Sequence, residues 1–369
     1  MKKKIVTILG TRPEIIRLSC IIKQLDKNFN HILINTNQNY DKNLNSIFFN
    51  ELNIKKPKHI LKNISNKSPI DFLSKSLIEV DKILNYENPD GILVLGDTNS
   101  SLTAICGKKR KIPIFHIEAG NRCFDERVPE EINRKIVDHI SDINMTYSDY
   151  ARLNLISEGV KNEKIIKIGS PLFEVYNEYN DLIEKSSILK KLKLKKKKFF
   201  LASVHREENV DQSKNLVEII NSFNKLIRKF NLPIIFSTHP RTRSRLKKIK
   251  NLNKKIIFSK PFGFYDYIKL IKSCKLILSD SGSITEETSI LKIPSVNLRF
   301  TFERQEGLER GLSTLSGLKS KDIIETVDLN LRKKVFDEHS DYSISNVSGN
   351  VSNIIQSYIQ YVNYKVWYK

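Results

Sequence analysis

Lys4–Glu14, KIVTILGTRPE, decides the fold. Its apolar run stops at Gly10, and Thr11, Pro13 and Glu14 then follow with the composition of a helix start. Thr11 and Glu14 stand at capping-box spacing, and Pro13 sits where a missing N–H costs nothing. The stretch therefore reads as strand, tight turn and a helix running to about Asp26. A helix amino end facing a strand's carboxyl end is an anion site, and Arg12 and Arg17 add full positive charge to it. An ordinary capped helix has the same spacing, so this motif alone assigns no ligand. The turn lacks GxGxxG, which argues against a nicotinamide or flavin dinucleotide.

The same rhythm continues outward. His31–Asn35 reads as a second strand, followed by the polar loop Thr36–Asp41 with Gln38 at its centre. A helix from about Pro69 to Tyr86 leads to a strand at Gly91–Leu95, and Gly96–Ser101 brings Asp97 to that strand's end before a helix through Gly107. Ile112–Phe115 reads as the end of a buried strand, so Glu118 emerges where open α/β sheets hold their ligands. Pro129 starts a helix carrying Glu130, Glu131 and Arg134, with Glu130 and Arg134 on one face at i, i+4. Three successive strand ends thus deliver Arg12, Asp97 and Glu118 to one rim. Asp125, Glu126 and Glu131 read as loop or ion-pair residues. A strand at Ile143–Met145, a helix at Asp149–Glu158 and a strand at Ile165–Ile168 complete a first doubly wound domain, closed by Gly169-Ser170-Pro171.

A second domain repeats the pattern. Phe199–Ser203 is a strand topped by His205-Arg206-Glu207-Glu208-Asn209, with a helix from about Asp211 to Phe230. Ile234–Ser237 is topped by Thr238-His239-Pro240-Arg241. Leu276–Ser279 leads into Asp280–Glu287, where Ser283 and Glu286 have capping-box spacing and Gly282 lets backbone approach a phosphate. Pro294–Leu298 is a further strand, whose loop carries Arg299, Glu303, Arg304 and Glu306. An amphipathic helix near Val351–Tyr361 ends the chain.

Composition narrows the function. The formal net charge is +22, but the lysines are scattered among Asn and Ile throughout. Where they concentrate, between Lys190 and Lys198, no aromatic residue interleaves them, so this run reads as a solvated helix end and linker. Nucleic acid is not the expected partner; anionic small molecules are. Cys20, Cys106, Cys123 and Cys274 form no CxxC pair, which suits a reducing cytoplasm and no zinc site of familiar spacing. HExxH is absent, and no metal is expected. The charged start MKKK precedes an apolar run too short for a signal peptide or membrane span, so a soluble protein without membrane insertion is expected.

Two doubly wound Rossmann-like domains with ligand rims at their strand ends would most simply face each other across a cleft. Such a cleft offers helix amino ends and arginines for a diphosphate, carboxylates for proton transfer, and His205 or the arginines to stabilise the departing diphosphate. That combination suits a nucleotide-diphosphate sugar. The ordered set GTRPEIIRL, GDTNSS, HIEAGNR with VPEEINR, HREEN, THPRT, SDSGSITEE and FERQEG, spanning roughly residues 5 to 311, resembles the non-hydrolysing UDP-N-acetylglucosamine 2-epimerase family.

The resemblance implies a glycosyltransferase-B-like fold, a homodimer, and a last helix that packs back on the first domain. On this reading the domains are residues 1–170 joined by helix 351–369, and residues 171–350. It implies C2 proton removal with elimination of UDP to a 2-acetamidoglycal, then re-addition with the proton on the opposite face, and no cofactor. Asp97, Glu118 and Glu130 match the family's proton-transfer acids and His205 its catalytic-site histidine. Arg12, Arg17, Ser281, Gly282, Glu287 and Arg304 match its UDP- and phosphate-contacting set, which Gln38, Arg134, His239 and Ser283 extend. Arg17 stands where the family often has Lys, and HREEN, SGS and ERQEG depart from the common HRREN, SGG and ERPE. These departures look like the capsule and O-antigen branch, which acts on modified sugars such as UDP-2-acetamido-2,6-dideoxy-hexoses or UDP-2,3-diacetamido-glucuronate, so the expected substrate is UDP-N-acetylglucosamine or a modified sugar of this kind. A hydrolysing epimerase and a glycosyltransferase of the same fold are the rival readings.

Overall fold

Strand β1 (Lys4–Leu9) has Ile5, Val6, Ile8 and Leu9 wholly out of solvent. Side chains alternate faces along a strand, so both faces of β1 are covered, which is the situation of a central strand in a parallel sheet. In the computed structural model of the chain, β1 indeed lies third in a seven-stranded sheet ordered β3-β2-β1-β4-β5-β6-β7. The other strands are β2 (Asn30–Asn35), β3 (His59–Ile60), β4 (Gly91–Leu95), β5 (Ile114–Ile117), β6 (Ile143–Thr146) and β7 (Ile165–Lys167). Every pairing is parallel. The order reverses between β1 and β4, which pair Ile5 with Gly91 and Thr7 with Leu93. The structure describes residues 2–38, 42–62, 68–238, 240–246, 249, 252–311, 313–333 and 340–369.

The second sheet has six parallel strands ordered β10-β9-β8-β11-β12-β13. They are β8 (Phe200–Ser203), β9 (Ile234–Ser237), β10 (Ile256–Ser259), β11 (Ile277–Ser279), β12 (Ser295–Asn297) and β13 (Ser313–Leu315). Its order reverses between β8 and β11. The helix Ser213–Phe230 buries Leu216, Ile219, Ile220, Phe223, Leu226 and Ile227 on this sheet, the i, i+3, i+4 stripe of an amphipathic helix. Phe223 meets Phe236 of β9 edge-to-face, with centroids 5.6 Å apart. Asn231 ends the helix in the left-handed conformation, which short amide side chains tolerate.

The chain divides into one unit of Met1–Glu178 with Asp341–Lys369 and another of Tyr179–Ser340. Residues 171–178 and 341–350, expected in the second domain, therefore belong to the first. A long-range contact joins them: Glu174 accepts from both the backbone N–H (2.8 Å) and the hydroxyl (2.5 Å) of Ser348, tying helix Leu172–Glu178 to helix Val347–Val362. The lysine run lies inside the second unit, ahead of β8, and is not a linker between units. β5 extends to Ile117 and does not end at Phe115. His116 and Ile117 continue the buried ladder against β4, and His116 donates through Nε2 to the Gly96 carbonyl at 2.9 Å.

The turn after β1 is organised by Glu14, 1% exposed. Its carboxylate accepts from Gly10 N–H at 2.9 Å, Thr11 N–H at 2.7 Å, the Thr11 hydroxyl at 2.8 Å and the Thr98 hydroxyl at 2.9 Å. Burial pushes the Glu14 carboxyl up from 4.5 to about 7, against these hydrogen bonds, which pull it down. The folded chain therefore holds this proton more tightly than the unfolded chain. The stability it confers is full below the unfolded value and is lost as pH rises through about 7. Urea midpoints of the wild type and Glu14→Gln, measured from pH 4.5 to 8, should show the wild type losing ground to the variant by up to about 3 kcal/mol as pH rises. A difference that stays constant with pH would contradict this account.

Candidate active site

Ligands of open parallel sheets sit beyond the strand carboxyl ends, where the strand order reverses. In the first unit that point lies between Gly10-Thr11-Arg12, after β1, and Gly96-Asp97, after β4. Backbone there comes close. A Cβ on Gly10 would stand 2.1 Å from Thr36 Oγ1 and 2.2 Å from Ser100 Oγ, so only glycine fits. Gln38 closes the same corner, its Oε1 accepting from Ser100 N–H at 3.0 Å and from the Ser100 hydroxyl at 2.8 Å. Gln38 thus serves at least as a brace for the Asp97 loop.

Asp97, partly exposed, accepts from Arg134 Nε at 3.0 Å and from its Nη2. The same guanidinium reaches Glu131 Oε2 through Nη1 at 2.7 Å. Glu131 is fully buried and also accepts from the backbone N–H groups of Cys123 (3.1 Å) and Phe124 (3.0 Å). It is an ion-pair residue, as the sequence suggests, and in addition shapes the loop before helix Pro129–Ile140. Asp125 pairs with Arg127 and Glu126 with Lys135. Glu130 stands half-buried in the first turn of that helix.

Glu118 adopts φ +67°, in the left-handed region that a side chain other than glycine enters at a cost of about 1–3 kcal/mol. Its Oε2 lies 3.6 Å from Arg17 Nη1 and 3.5 Å from the Tyr147 hydroxyl, while Asn121 Nδ2 reaches Oε1 at 3.3 Å. Arg17 is buried, with its guanidinium 5.8 Å from the Tyr147 ring centre. Asp138 holds the strained turn from behind. Buried completely, it accepts from Gly120 N–H at 3.2 Å and from Arg122 Nη1 at 2.7 Å, with His116 Nδ1 2.9 Å away. Arg122, also without solvent, adds a bidentate pair to Glu158. Arg12 is half-buried beside the Phe48 ring, 5.5 Å from its centre.

In the second unit the order reverses between β8, which is followed by Val204-His205, and β11, which is followed by Asp280-Ser281-Gly282. Asp280 is fully buried. Burial alone would raise its carboxyl, but the charge and hydrogen bond of His205, the Arg206 N–H and Asn209 hold it below the ordinary range. Arg206 Nε donates to the Asp280 carbonyl at 2.9 Å and its Nη2 to Glu303 at 3.0 Å, and Arg299 also donates to Glu303, at 2.9 Å. A Cβ on Gly282 would stand 2.3 Å from Glu303 Oε2, so any larger residue here would displace the Glu303 carboxylate.

Ser281 and Ser283 hydroxyls lie 2.9 Å apart, and Ser283 donates to Glu287 at 2.7 Å. The expected capping box at Ser283 and Glu286 does not form. Ser283 is already in helical backbone, φ −80° and ψ −13°, with no side-chain cap bond, and Glu286 pairs instead with buried Arg304 at 3.0 Å. His239 lies outside the described residues.

The sequence reading singles out neither Asp138 and Arg122 nor Tyr147 and Asp280 as individual groups. Two of them carry a readable signal, since Tyr147 directly follows β6 and Asp280 directly follows β11. Among the described residues no three His, Cys, Asp or Glu side chains converge as a metal-binding group, and no helix is long and apolar enough to cross a membrane.

The family model for UDP-N-acetylglucosamine 2-epimerase matches residues 23–356. A UDP-N-acetylglucosamine 2-epimerase of Methanocaldococcus jannaschii is 40% identical over 342 residues, covering 90% of this chain and 93% of its own. A solved structure from the same organism, in complex with UDP-GlcNAc and UDP, superposes with a TM-score of 0.89 at 38% identity, covering 96% of this chain and 99% of that one. The structure of UDP-N-acetylglucosamine 2-epimerase from Rickettsia bellii superposes with a TM-score of 0.92 at 44% identity over 100% of both chains. A UDP-2,3-diacetamido-2,3-dideoxy-D-glucuronate 2-epimerase of Pseudomonas aeruginosa is 32% identical, over 96% of this chain and 99% of its own. With its two parallel α/β sheets and strand-end motifs, the chain belongs to the UDP-N-acetylglucosamine 2-epimerase family, as an epimerase of glycosyltransferase-B-like fold.

Proposed function

We propose that this chain inverts C2 of a UDP-activated 2-acetamido sugar. A base removes the C2 proton, the freed electron pair forms the C1–C2 double bond, and UDP leaves with the C1–O pair. The 2-acetamidoglycal then takes a proton on the opposite face of C2 while a diphosphate oxygen rebuilds the bond to C1. No electrons are gained or lost overall, so the balance needs no redox partner. The observation that carries this reading is the placement of Asp97 and Glu118 just beyond the ends of the adjacent strands β4 and β5, each beside a guanidinium. Two acids placed for proton transfer are what C2 inversion requires.

Asp97, Glu118 and Glu130 are the proton-transfer candidates. Arg12 and Arg17 at the amino end of helix Arg12–Asn28, with Ser281, Gly282, Ser283 and Glu287, are assigned to the UDP-sugar. His205 stabilises the departing diphosphate. Gln38 and Arg134 hold the Asp97 loop beside the sugar, Arg304 backs helix Ile284–Leu291, and His239 extends the set from sequence alone. The identities favour UDP-N-acetylglucosamine as substrate over a diacetamido uronate, because the relative named for the latter is the more distant. We assign the product to surface-polysaccharide precursor synthesis, in a cytoplasmic homodimer.

Proton NMR of purified protein with UDP-N-acetylglucosamine tests the reading. Its 2-acetamidomannose epimer should accumulate to a constant ratio without stoichiometric free UDP. Continuous release of UDP with free 2-acetamidomannose would instead establish the hydrolysing reaction, and turnover only with an added acceptor a glycosyltransferase. If only the diacetamido uronate or a 6-deoxy sugar turns over, the modified-sugar branch is correct. Asp97→Asn should lower kcat by about 10²–10⁴-fold while leaving UDP affinity within a few fold. Normal turnover in that variant would remove Asp97 from the catalytic set.

A further inference from the structure

We propose that Asp280 is a positioning residue that fixes the tautomer of His205, keeping the proton on Nδ1 and turning Nε2 outward. The inference deepens the proposed function and rests on it for the role of His205. Asp280 stands one residue beyond β11 and His205 two beyond β8, strands paired through Ser279 and Ser203 at the point where the sheet order reverses. The carboxylate therefore reaches His205 from beneath. Its Oδ1 lies 3.1 Å from His205 Nδ1, with Asp280 fully buried and the His205 side chain 47% exposed. The same two oxygens accept from His205 N–H (3.1 and 3.0 Å), and Oδ2 also accepts from Arg206 N–H (2.9 Å) and Asn209 Nδ2 (3.0 Å).

An ionised carboxylate only accepts hydrogen bonds, so the ring nitrogen facing it carries a proton in every charge state of the imidazole. The neutral ring is then left with its lone pair on Nε2. This nitrogen accepts a proton, or donates one when the ring is charged, on the side away from Asp280. The backbone contacts alone describe a residue that merely shapes the loop after β8. The Nδ1 contact adds the tautomer, which a purely structural role does not control.

The test separates these roles. Long-range proton–nitrogen spectra of protein labelled with ¹⁵N-histidine, with His205 assigned through its loss in His205→Gln, should show the Nδ1–H tautomer in the wild type at pH 8. An Nε2–H tautomer, or an unbiased mixture, would overturn the proposal. This readout needs no Asp280 variant and no turnover, so it stands even if the variant fails to fold or the proposed reaction proves wrong. In a folded Asp280→Asn protein kcat should fall about a hundredfold, with UDP affinity within a few fold. In the His205→Gln background the same change should cause no further loss. Losses that multiply in the double variant would overturn the proposal, because Asp280 would then act independently of His205.

Discussion

Backbone N–H groups left over where parallel strands end must find acceptors, and in both units they find buried carboxylates. Glu14, Glu131, Asp138 and Asp280, each no more than 1% exposed, accept from the loops after β1, β5 and β8. An unsatisfied buried donor costs about 1–3 kcal/mol, and breaking a buried ion pair about 3–5 kcal/mol. These loops therefore have few alternative conformations. The groups at the rims are held by a second tier of acids that themselves need no contact with a ligand.

That support makes the strain at Glu118 tenable. Its left-handed backbone is bracketed by Gly120, whose N–H is taken by Asp138, and by the β5–β6 pairing. Strain of this kind persists only where surrounding contacts over-determine it, and such sites are enriched where geometry serves chemistry. The same economy appears at β11, where Asp280 binds three N–H groups and also faces an imidazole. In the first unit an acid and an arginine meet at the strand ends. In the second, an acid and a histidine do.

Most of the fold is legible because central parallel strands must be apolar on both faces, and runs such as Ile5–Leu9 and Gly91–Leu95 announce it. Edges are less legible. β3 has only two residues, and β13 is Ser-Thr-Leu, with no run to read. β10 is missed although it has the same IIFS sequence as β9, since its half-buried residues follow lysines rather than a breaker. The boundary between the units escapes the sequence because Glu174 and Ser348 meet across more than 170 positions. At the site, strand-end acids and the histidine are readable from spacing. Asp138 beneath them is not, because its buried ion pair with Arg122 has the same composition as a solvated loop. Ser283 shows the converse, where correct capping spacing fails because the helix begins a residue too early.

The central claim is that C2 loses its proton to the protein and regains one from it. Incubating the protein with UDP-N-acetylglucosamine in D2O and following the C2 position by NMR measures this directly. The account predicts deuterium at C2 of the inverted sugar from its first appearance. Inversion with the original C2 proton retained would contradict it.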